Sequence, residues 1–366
     1  MFRPFQLGGL ELRNRIVYPA ITTCLAEVDG SVSSRMLDFY SQRASGGVGL
    51  IIVEPGVVHP QVRLAALSGA AWDDTYITGL RQLAQRIKSQ GARAFIQLCH
   101  AGPKAFSRIN GIQSVSASEL PYFYKEPVRA LSVSEISQIT GDFVAAARRA
   151  REAGFDGIEL HAAHFYLLSA FLSPQLNIRQ DGYGQDTMGR TKIVREIVRA
   201  IKQSVGADFP VICRYHGFED GDLGIKSEEA VKIAKLLADA GADALHISAY
   251  GLPQPQLSSF VTVPSTPIPT CEHPKGPFVD YAAAVKREVG IPVIAVGKLD
   301  DPLIAEDSLL ENKCDLVAVG RGILVDSQWP LKVAAGKSTL RCISCLDCLN
   351  SIAKGGIICR INKNLK

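Results

Sequence analysis

The stretch Asp156–Pro174 reads DGIELHAAHFYLLSAFLSP, and it combines a short apolar run with three hydrogen-bonding side chains at its end. Those side chains are His161, His164 and Tyr166. A short apolar run without strict alternation is typical of a strand buried on both faces of a parallel sheet. In parallel α/β barrels, chemistry takes place at the carboxyl ends of the strands. We therefore predict a functional site at the end of this strand.

Outward from this stretch, an amphipathic helix, a turn with Gly or Asp and an apolar run recur along the chain. The predicted strands are Arg15–Ile21, Val48–Val53, Ala94–Cys99, Asp156–His161, Pro210–Arg214, Ala244–Ala249, Pro292–Gly297 and Asp315–Gly320. Helical patterns such as Ser134–Ala153 and Ser227–Ala240 lie between them. This alternation predicts an α/β fold, a (β/α)₈ TIM barrel over residues 1–335, with a short cysteine-rich extension over residues 336–366.

A doubly wound sheet is the alternative fold. Its first strand is normally followed by a G-x-G-x-x-G turn, but here the chain reads TTCLAEVDG after the first predicted strand. The barrel is therefore the favoured prediction. Two connections, residues 99–132 and 250–278, are longer than the others and leave the carboxyl ends of strands three and six. They are expected to shape a substrate pocket. The alternative interpretation is that they are only solvated connectors.

Composition narrows the class of protein. The 366 residues carry a formal net charge of +4 without a basic run interleaved with aromatics, so nucleic acid is not an expected partner. No stretch has the roughly 18 apolar residues of a membrane helix. The N-terminal sequence MFRPFQLGGLELRNR lacks the apolar core of a signal peptide. The expected location is the cytoplasm, with no membrane partner.

The predicted strands end in polar residues, and the last two strands lead into the turns VGKLDD and VGRGI. Each turn places a glycine before a cation, which is Lys298 in the first and Arg321 in the second. Glycine allows backbone N–H groups to approach an anion, and loops seven and eight form the usual phosphate site of this barrel. Arg214 and Gln97 end two other strands and could bind a ring system and an imide edge. The pattern indicates FMN.

Five motifs carry a resemblance from Leu12 to Arg321: LRNRIVYPA, FIQLCHAG, GIELHAAHFYLLSAFLSP, NIRQDGYG and VGRG. In this order they resemble the old yellow enzyme family of FMN-dependent ene-reductases. Two positions depart from the family pattern, with Tyr183-Gly184-Gln185 in place of Tyr-Gly-Gly and Met188-Gly189-Arg190 in place of Glu-Asn-Arg. These departures leave the subfamily and a homo-oligomer interface open.

The resemblance implies roles for individual residues. Ala20, Ile21 and Thr22 would line the flavin, with Thr22 tuning its redox behaviour, and Pro55 would pack nearby. Gln97 would bind the pyrimidine edge and Arg214 the region that becomes anionic on reduction. The implied phosphate ligands are Gly297, Lys298, Gly320 and Arg321. His161 and His164 would hold the carbonyl oxygen of an activated alkene, and Tyr166 would donate the proton.

The cysteines divide into two groups. Cys24, Cys99, Cys213, Cys271 and Cys314 are scattered, and most are expected to be small buried hydrophobes. Cys342, Cys345, Cys348 and Cys359 have a four-thiolate spacing that fits an iron–sulfur cluster, a structural zinc or free thiols. Within the family this motif resembles the dienoyl-CoA reductase and trimethylamine dehydrogenase branch, which carries a [4Fe–4S] cluster. A cluster here would relay electrons from a redox partner protein.

Three functions stay open at this point. The first is reduction of the C=C bond of an α,β-unsaturated carbonyl compound, with NAD(P)H or a ferredoxin-type protein as reductant. The second is oxidative removal of an alkyl group from an amine or ether, for which Tyr122, Phe123 and Tyr124 could form an aromatic bowl. The third is an electron-transfer subunit that only houses cofactors.

Overall fold

The computed structural model describes residues 1–123, 126–250, 268–271, 273–352 and 355–365. The strands of these ranges are β1 Phe5–Leu7, β2 Leu10–Leu12, β3 Ile16–Tyr18, β4 Leu50–Val57, β5 Arg93–Cys99, β6 Val115–Ser116, β7 Leu120–Phe123, β8 Glu126–Ala130, β9 Gly157–Ala162, β10 Val211–Glu219, β11 Ala244–Tyr250, β12 Val293–Val296 and β13 Leu316–Ala318. The helices are α1 Ser34–Ser45, α2 Ile77–Lys88, α3 Ser107–Asn110, α4 Val133–Glu152, α5 Leu167–Leu172, α6 Thr187–Arg190, α7 Lys192–Ser204, α8 Ser227–Asp239, α9 Val279–Lys286, α10 Pro302–Leu310, α11 Arg321–Val325, α12 Trp329–Ala334 and α13 Asp347–Asn350. Short 3₁₀ turns span Asp74–Tyr76 and Gly102–Lys104.

The central sheet is a closed barrel with the strand order β3, β4, β5, β9, β10, β11, β12, β13, and β13 pairs with β3 to close it. Neighbouring strands are parallel. The predicted α/β class and TIM-barrel architecture are therefore confirmed. Parallel pairing places the carboxyl ends of these strands at one face of the barrel, where the site is expected.

The strand bounds differ from the predicted ones for identifiable reasons. The first barrel strand ends at Tyr18 rather than at Ile21, because Pro19 has no N–H to donate to the sheet. Strands β4 and β10 continue beyond the predicted ends, to Val57 and Glu219. Each contains a register shift, between Val53 and Gly56 in β4 and between His216 and Phe218 in β10. Such bulges bend a strand and redirect its side chains without ending its pairing.

The lower part of the barrel interior is apolar. The short hairpin of β1 and β2 closes this end, and its Leu7 and Leu12 are fully buried. They pack in one cluster with Val17, Leu50, Ile52, Phe95, Ile212, Ala244, Ile294, Leu316 and Ala318. Polar barrel residues are thereby confined to the upper part, toward the carboxyl ends.

Helix α4 shows why the chain forms regular helices between the strands. Ser132 accepts a hydrogen bond from the backbone N–H of Glu135, whose side chain accepts one from the backbone of Ser132. This capping box satisfies N–H groups that the first turn leaves without partners. The buried residues recur at helical spacing and form one apolar face: Ile136, Ile139, Phe143, Ala146, Ala147 and Ala150. The chain leaves the helix through Gly154, whose φ of 84° favours glycine.

The structure describes the two long connections to different extents. Residues 99–132 contain a small sheet in the order β6, β8, β7, so this connection is more ordered than a plain loop. Most of the connection 250–278 lies outside the described residues, as does Tyr124; of Tyr122, only the backbone belongs to the described part. Among the described residues, no helix combines the length and the apolarity needed to cross a membrane.

The cysteine-rich segment packs against the barrel. Asp326 accepts a hydrogen bond from the backbone N–H of Leu340 at 2.9 Å, and the carbonyl of Thr23 accepts one from Ile357 at 2.8 Å. Ile357 is 2% exposed and belongs to the main hydrophobic core. The boundary predicted between residues 335 and 336 stays a prediction, and this segment shares its core with the barrel.

The hairpin that closes the barrel yields a stability prediction. Gly8 and Gly9 form its two-residue turn with φ values of 54° and 82°, and a Cβ on Gly8 would lie 2.9 Å from Cγ of Pro210. A Cβ on Gly9 would meet no atom within 4 Å. We expect Gly9→Ala to lower the free energy of unfolding by about 1 kcal/mol, the cost of left-handed backbone, and Gly8→Ala to lower it by a further 1–3 kcal/mol or so. Urea unfolding of both variants measures this, and equal losses would contradict the packing argument.

Candidate active site

A cavity of about 540 Å³ lies at the carboxyl ends of the barrel strands. Every residue predicted to be catalytic or to bind a cofactor lines it: Ala20, Ile21, Thr22, Pro55, Gln97, His161, His164, Tyr166, Arg214, Gly297, Lys298, Gly320 and Arg321. Two of the predicted metal ligands, Cys342 and Cys348, also line it. The volume is within the range of about 300–1,000 Å³ that is usual for ligand pockets. The structure thus brings the predicted residues together, while their roles stay predictions.

Three side chains cluster at the end of β9. The ring centroids of His161 and His164 are 4.9 Å apart, and those of His161 and Tyr166 are 4.7 Å apart. Both pairs have an edge-to-face arrangement. The three polar groups can therefore reach one small ligand.

A tight turn after β9 creates this cluster. His164 and Phe165 have φ values of 61° and 53°, a left-handed conformation that costs non-glycine residues about 1–2 kcal/mol each. The N–H of His164 donates to Nε2 of His216 at 2.6 Å, and the N–H of Phe165 donates to Oγ of Ser169 at 3.1 Å. These hydrogen bonds hold the strained turn. Because Nε2 of His216 is an acceptor, its Nδ1 carries the proton and donates to Glu219 at 2.8 Å.

Both histidines of the cluster are neutral. Burial, followed by the positive charge of Arg214, holds the pKa of His161 and of His164 well below the usual value. Nε2 of His164 lies 2.9 Å from Oγ of Ser248. Nδ1 of His161 is buried and has no hydrogen-bond partner among the described residues. An unpaired buried polar atom is costly, so a ligand that bonds to it would be stabilised.

Below the cluster lies a polar layer of barrel residues. Glu159 accepts a hydrogen bond from Nε2 of Gln97 at 2.8 Å, and Nδ1 of His246 lies 2.6 Å from its other oxygen. Burial would raise the pKa of Glu159, but His246 and Arg214 outweigh burial and lower it, so the group is a carboxylate. With Nε2 of Gln97 committed to Glu159, its Oε1 remains to accept from a ligand N–H.

The far end of the cavity is cationic. Lys298 has a φ of 48° and follows Gly297, whose φ is 115°. The ammonium group of Lys298 donates hydrogen bonds to the carbonyl of Thr270, at 2.9 Å, and to the carbonyl of His273. Burial and the charges of Lys275 and Arg321 lower the pKa of Lys298. An anion bound here would relieve this repulsion.

Comparisons with known proteins agree with this geometry. The model of the NADH:flavin oxidoreductase / NADH oxidase family matches residues 1–339. The chain belongs to this family. It is 41% identical over 350 residues to the NADH oxidase of Thermoanaerobacter brockii, covering 94% of this chain and 52% of that protein. The chain therefore spans about half the length of this relative.

A second relative supports the family assignment, and a solved structure supports the fold. An NADPH dehydrogenase of Halalkalibacterium halodurans is 35% identical over 335 residues, which is 91% of this chain and 94% of that protein. The solved structure of an old yellow enzyme homologue from Zymomonas mobilis superposes on this chain with a TM-score of 0.81. The match covers 100% of this chain and 99% of that chain at 22% sequence identity, and it shows the same fold. The predicted old yellow enzyme family is confirmed.

The cavity fits the FMN that this family uses. Nε of Arg214 and Nη1 of Arg321 are buried without hydrogen-bond partners among the described residues, and both arginines line the cavity. Apolar side chains of Ala20, Ile21 and Pro55 lie along its wall. A Cβ on Gly297 would come within 2.8 Å of the Phe278 ring, so this backbone cradle requires glycine. The donors suit a phosphate at one end and a polar ring edge at the other.

The four cysteines of the terminal segment lie near one another. Burial raises the pKa of Cys348, and the thiols of Cys342, Cys345 and Cys359 raise it further, while Arg321 opposes them. All four cysteines are free and half-buried. Within the described ranges, however, no group of three or more His, Cys, Asp or Glu side chains is arranged to hold a metal ion.

Several residues around the cavity were missed by sequence reasoning. Lys104, Lys275 and Tyr250 line it but belong to loops or a strand end that carried no motif. His216 and Glu219 support the turn from an extension of β10 that was not predicted. The lysine in FIQLCHAGPKAF, which lies in the connection that follows strand β5, was the one signal that could have been used.

Arg214 and Arg321, each with a buried nitrogen atom that has no partner among the described residues, lead to a prediction about cofactor binding. If Arg321 binds the phosphate, Arg321→Met should weaken FMN about 10- to 100-fold while leaving riboflavin affinity unchanged, since riboflavin lacks that group. Arg214→Met should weaken both ligands, because it would contact the ring. Fluorescence titration of apoprotein measures the four affinities, with exposed Arg3→Met as control. Equal losses of FMN and riboflavin in Arg321→Met would contradict the phosphate assignment.

Proposed function

We propose that this protein is an FMN-dependent oxidoreductase that uses NAD(P)H to reduce the C=C bond of an α,β-unsaturated carbonyl compound. The observation that carries the proposal is the cluster of His161, His164 and Tyr166 in the wall of a cavity of about 540 Å³. Two relatives, which are named NADH oxidase and NADPH dehydrogenase, support a nicotinamide donor. The predicted FMN ligands keep the roles given above as part of this proposal.

The neutral histidines suit a carbonyl oxygen. Each can donate one hydrogen bond, and two donors stabilise the negative charge that develops on that oxygen, at about 2.7–4 kcal/mol for a well-placed donor. If His164 donates from Nδ1, the Ser248 hydroxyl must donate to its Nε2, which the 2.9 Å separation allows. The Nδ1 atom of His161, which has no partner among the described residues, would donate the second hydrogen bond to the carbonyl oxygen.

The bound flavin would supply a hydride to the β-carbon. Tyr166 would then deliver a proton to the α-carbon as a general acid. Its ring is held edge-on against His161, at the beginning of helix α5.

The alternatives are less well supported. Amine oxidation would favour a site that tolerates a cation, but the described lining residues include Lys104, Arg214 and Lys275 and only one carboxylate, that of Asp300. Of the aromatic residues considered for a bowl, Phe123 is buried in a cluster with Val128, Phe165 and Tyr250. An electron-transfer role would not require a substrate cavity with neutral histidines.

As a second part of the proposal, Cys342, Cys345, Cys348 and Cys359 hold a [4Fe–4S] cluster that relays electrons to the flavin from a redox partner protein. A two-pronged ion pair between Asp347 and Arg360, at 2.8 and 3.1 Å, holds Cys348 and Cys359 in neighbouring segments. Backbone N–H groups donate to the sulfurs of Cys342 and Cys359 at 3.4 Å. Hydrogen bonds to sulfur are a common support of such clusters. Zinc is the competing occupant.

Metal analysis tests the cluster. Anaerobically purified protein should contain about four iron and four sulfide per chain, as the composition of the cluster requires. Cys359→Ala should lose most of this iron, while Cys271→Ala, an exposed cysteine outside the segment, should retain it. One zinc per chain without sulfide would overturn the cluster and leave the flavin chemistry in place.

Replacement of the proton donor tests the reaction. Tyr166→Phe should slow reduction of 2-cyclohexenone about 100-fold or more, because it removes the general acid. Reduction of the flavin by NADPH should change little, since that step needs no proton from this residue. Stopped-flow absorbance separates the two half-reactions. If both half-reactions slow equally, the tyrosine acts on the flavin site as a whole and the assigned role is wrong.

A further inference from the structure

A buried carboxylate behind the wall of the cavity holds the loop that follows β3. Glu54 is 2% exposed and directly precedes Pro55, which lines the cavity, although Glu54 itself does not. One of its carboxylate oxygens accepts hydrogen bonds from the backbone N–H groups of Thr23, at 2.8 Å, and of Cys24, at 3.3 Å. The other oxygen accepts one from the hydroxyl of Thr23. The carboxylate therefore binds two consecutive residues of this loop.

The bulge in β4 fixes the carboxylate from its own strand. The register of β4 shifts between Val53 and Gly56, and Glu54 lies within the shift. Such a bulge redirects side chains relative to a regular strand. The backbone N–H of Glu54 donates to Oη of Tyr40 in helix α1 at 2.8 Å, and Tyr40 is fully buried. The backbone and the side chain of Glu54 are thus both held by hydrogen bonds.

The loop that Glu54 holds carries part of the predicted flavin site. Ala20, Ile21 and Thr22 line the cavity. Two residues further on, Cys24 has a φ of 54°, a left-handed conformation that residues other than glycine avoid. Such a conformation persists where surrounding contacts determine it. Glu54 supplies these contacts, because its carboxylate accepts hydrogen bonds from Cys24 and from the residue before it. The position of Thr22 in the wall therefore depends on Glu54.

The cysteine-rich segment holds the same loop from another side. The carbonyl of Thr23 accepts a hydrogen bond from the N–H of Ile357 at 2.8 Å. A Cβ on Gly356 would lie 3.5 Å from the carbonyl oxygen of Cys24, so the segment and the loop pack closely. Ile357 precedes Cys359, one of the four cysteines of the segment, by two residues. Thr23 thus connects the wall of the cavity with the cysteine-rich segment.

The carboxylate compensates for its burial through this loop. Burial raises the pKa of Glu54 to about 7, and the largest opposing effects are the hydrogen bonds from Thr23 and Cys24. A buried carboxylate is costly unless such donors satisfy it. The loop and the carboxylate therefore stabilise each other, and a change in one is expected to move the other.

We propose that Glu54 is a positioning residue that fixes Thr22 beside the flavin, and that Thr23 transmits this position to the cysteine-rich segment. The inference rests on the FMN site proposed above and does not depend on the identity of the substrate. Glu54 acts only through its hydrogen bonds to the loop.

The midpoint potential of the bound flavin tests the positioning role, because it reports the ratio of the affinities for reduced and oxidised FMN. Glu54→Leu removes every acceptor and should change this ratio about tenfold or more, which is about 30 mV for a two-electron couple. Glu54→Gln can direct its amide oxygen to the two N–H groups and its amide nitrogen to the hydroxyl of Thr23, so it should change the ratio less than about threefold. An equally large change in Glu54→Gln would indicate an effect of charge alone and contradict the positioning role.

A double-mutant cycle separates positioning from a general structural effect. If Glu54 acts through Thr22, Glu54→Leu should change the ratio of affinities much less in a Thr22→Val background than in the wild type, because the affected side chain is already altered. Equal changes in the two backgrounds would show that Glu54 does not act through Thr22, and this result would overturn the assignment.

A conservative variant keeps the test decisive if Glu54→Leu does not fold. Thr23→Val removes the hydroxyl that donates to Glu54 and retains the shape of the side chain and the backbone N–H. It should change the ratio of affinities in the same direction as Glu54→Leu, by about threefold or more. An unchanged ratio in Thr23→Val would overturn the positioning role.

A second carboxylate that accepts a backbone hydrogen bond provides the control. Asp315 lies at the opposite end of the barrel, before β13, and accepts a hydrogen bond from the N–H of Val293 at 2.8 Å. It does not line the cavity. Asp315→Asn should therefore leave the ratio of affinities unchanged. A change as large as that in Glu54→Leu would show that any loss of such a carboxylate affects the flavin, and it would contradict a specific role of Glu54.

Hydrogen exchange of the Ile357 amide in the holoenzyme tests the transmission to the cysteine-rich segment. This N–H donates to the carbonyl of Thr23, so a displaced loop should expose it to solvent. Glu54→Leu should accelerate its exchange about tenfold or more, and Asp315→Asn should not. Unchanged exchange in Glu54→Leu would refute the transmission through Thr23.

Failure of this inference is distinguishable from failure of the proposed function. Wild-type protein that binds FMN but does not reduce 2-cyclohexenone would refute alkene reduction, and the shifts in midpoint potential would still support the role of Glu54. Wild-type protein that reduces 2-cyclohexenone, with an unchanged midpoint potential in Glu54→Leu and Thr23→Val, would refute the role of Glu54 and retain alkene reduction.

Discussion

The parallel register of neighbouring barrel strands is the constraint on which the site depends. Arg214 pairs with His161 on one side and with His246 on the other, and Gln97 pairs with Glu159. Residues level with each other on neighbouring strands point to the same side of a sheet. Closure of the barrel therefore places charged and polar groups of four strands in one interior region, above the apolar cluster.

The cluster of His161, His164 and Tyr166 depends on a second feature, the left-handed turn that follows β9. The turn costs conformational energy at two non-glycine residues, His164 and Phe165. The bulge in β10 extends that strand far enough for His216 and Glu219 to hold the turn from the neighbouring strand. Backbone strain at a site persists when surrounding contacts determine it, as they do here. The polar pair thus acts on the position of His164 and not on a substrate directly.

The charges that line the cavity are distributed unevenly, with cations in one part and neutral histidines in another. Cations gather at the end formed by the last two barrel strands, where a phosphate would neutralise them. His161 and His164 line another part of the cavity, where burial and the charge of Arg214 hold their pKa values well below the usual value. Lys104 lies on that side as well, with Nζ 5.2 Å from the ring centroid of Tyr166. The cysteine segment covers part of the same cavity through Cys342 and Cys348, so its cofactor would lie near the flavin.

The sequence by itself determined the barrel and most of the site, because short apolar runs alternate with amphipathic helices and polar residues end those runs. The positions of His161, Arg214 and Arg321 in the cavity could be predicted in this way, because parallel pairing brings the strand ends to one face of the barrel whatever the detailed contacts are. Only the tertiary structure decided the position of Lys104 beside Tyr166 and the path of the cysteine segment over the cavity. Those positions depend on loop conformation and on contacts between distant parts of the chain, which local periodicity does not encode. The same holds for Lys298, whose ammonium binds the carbonyls of Thr270 and His273.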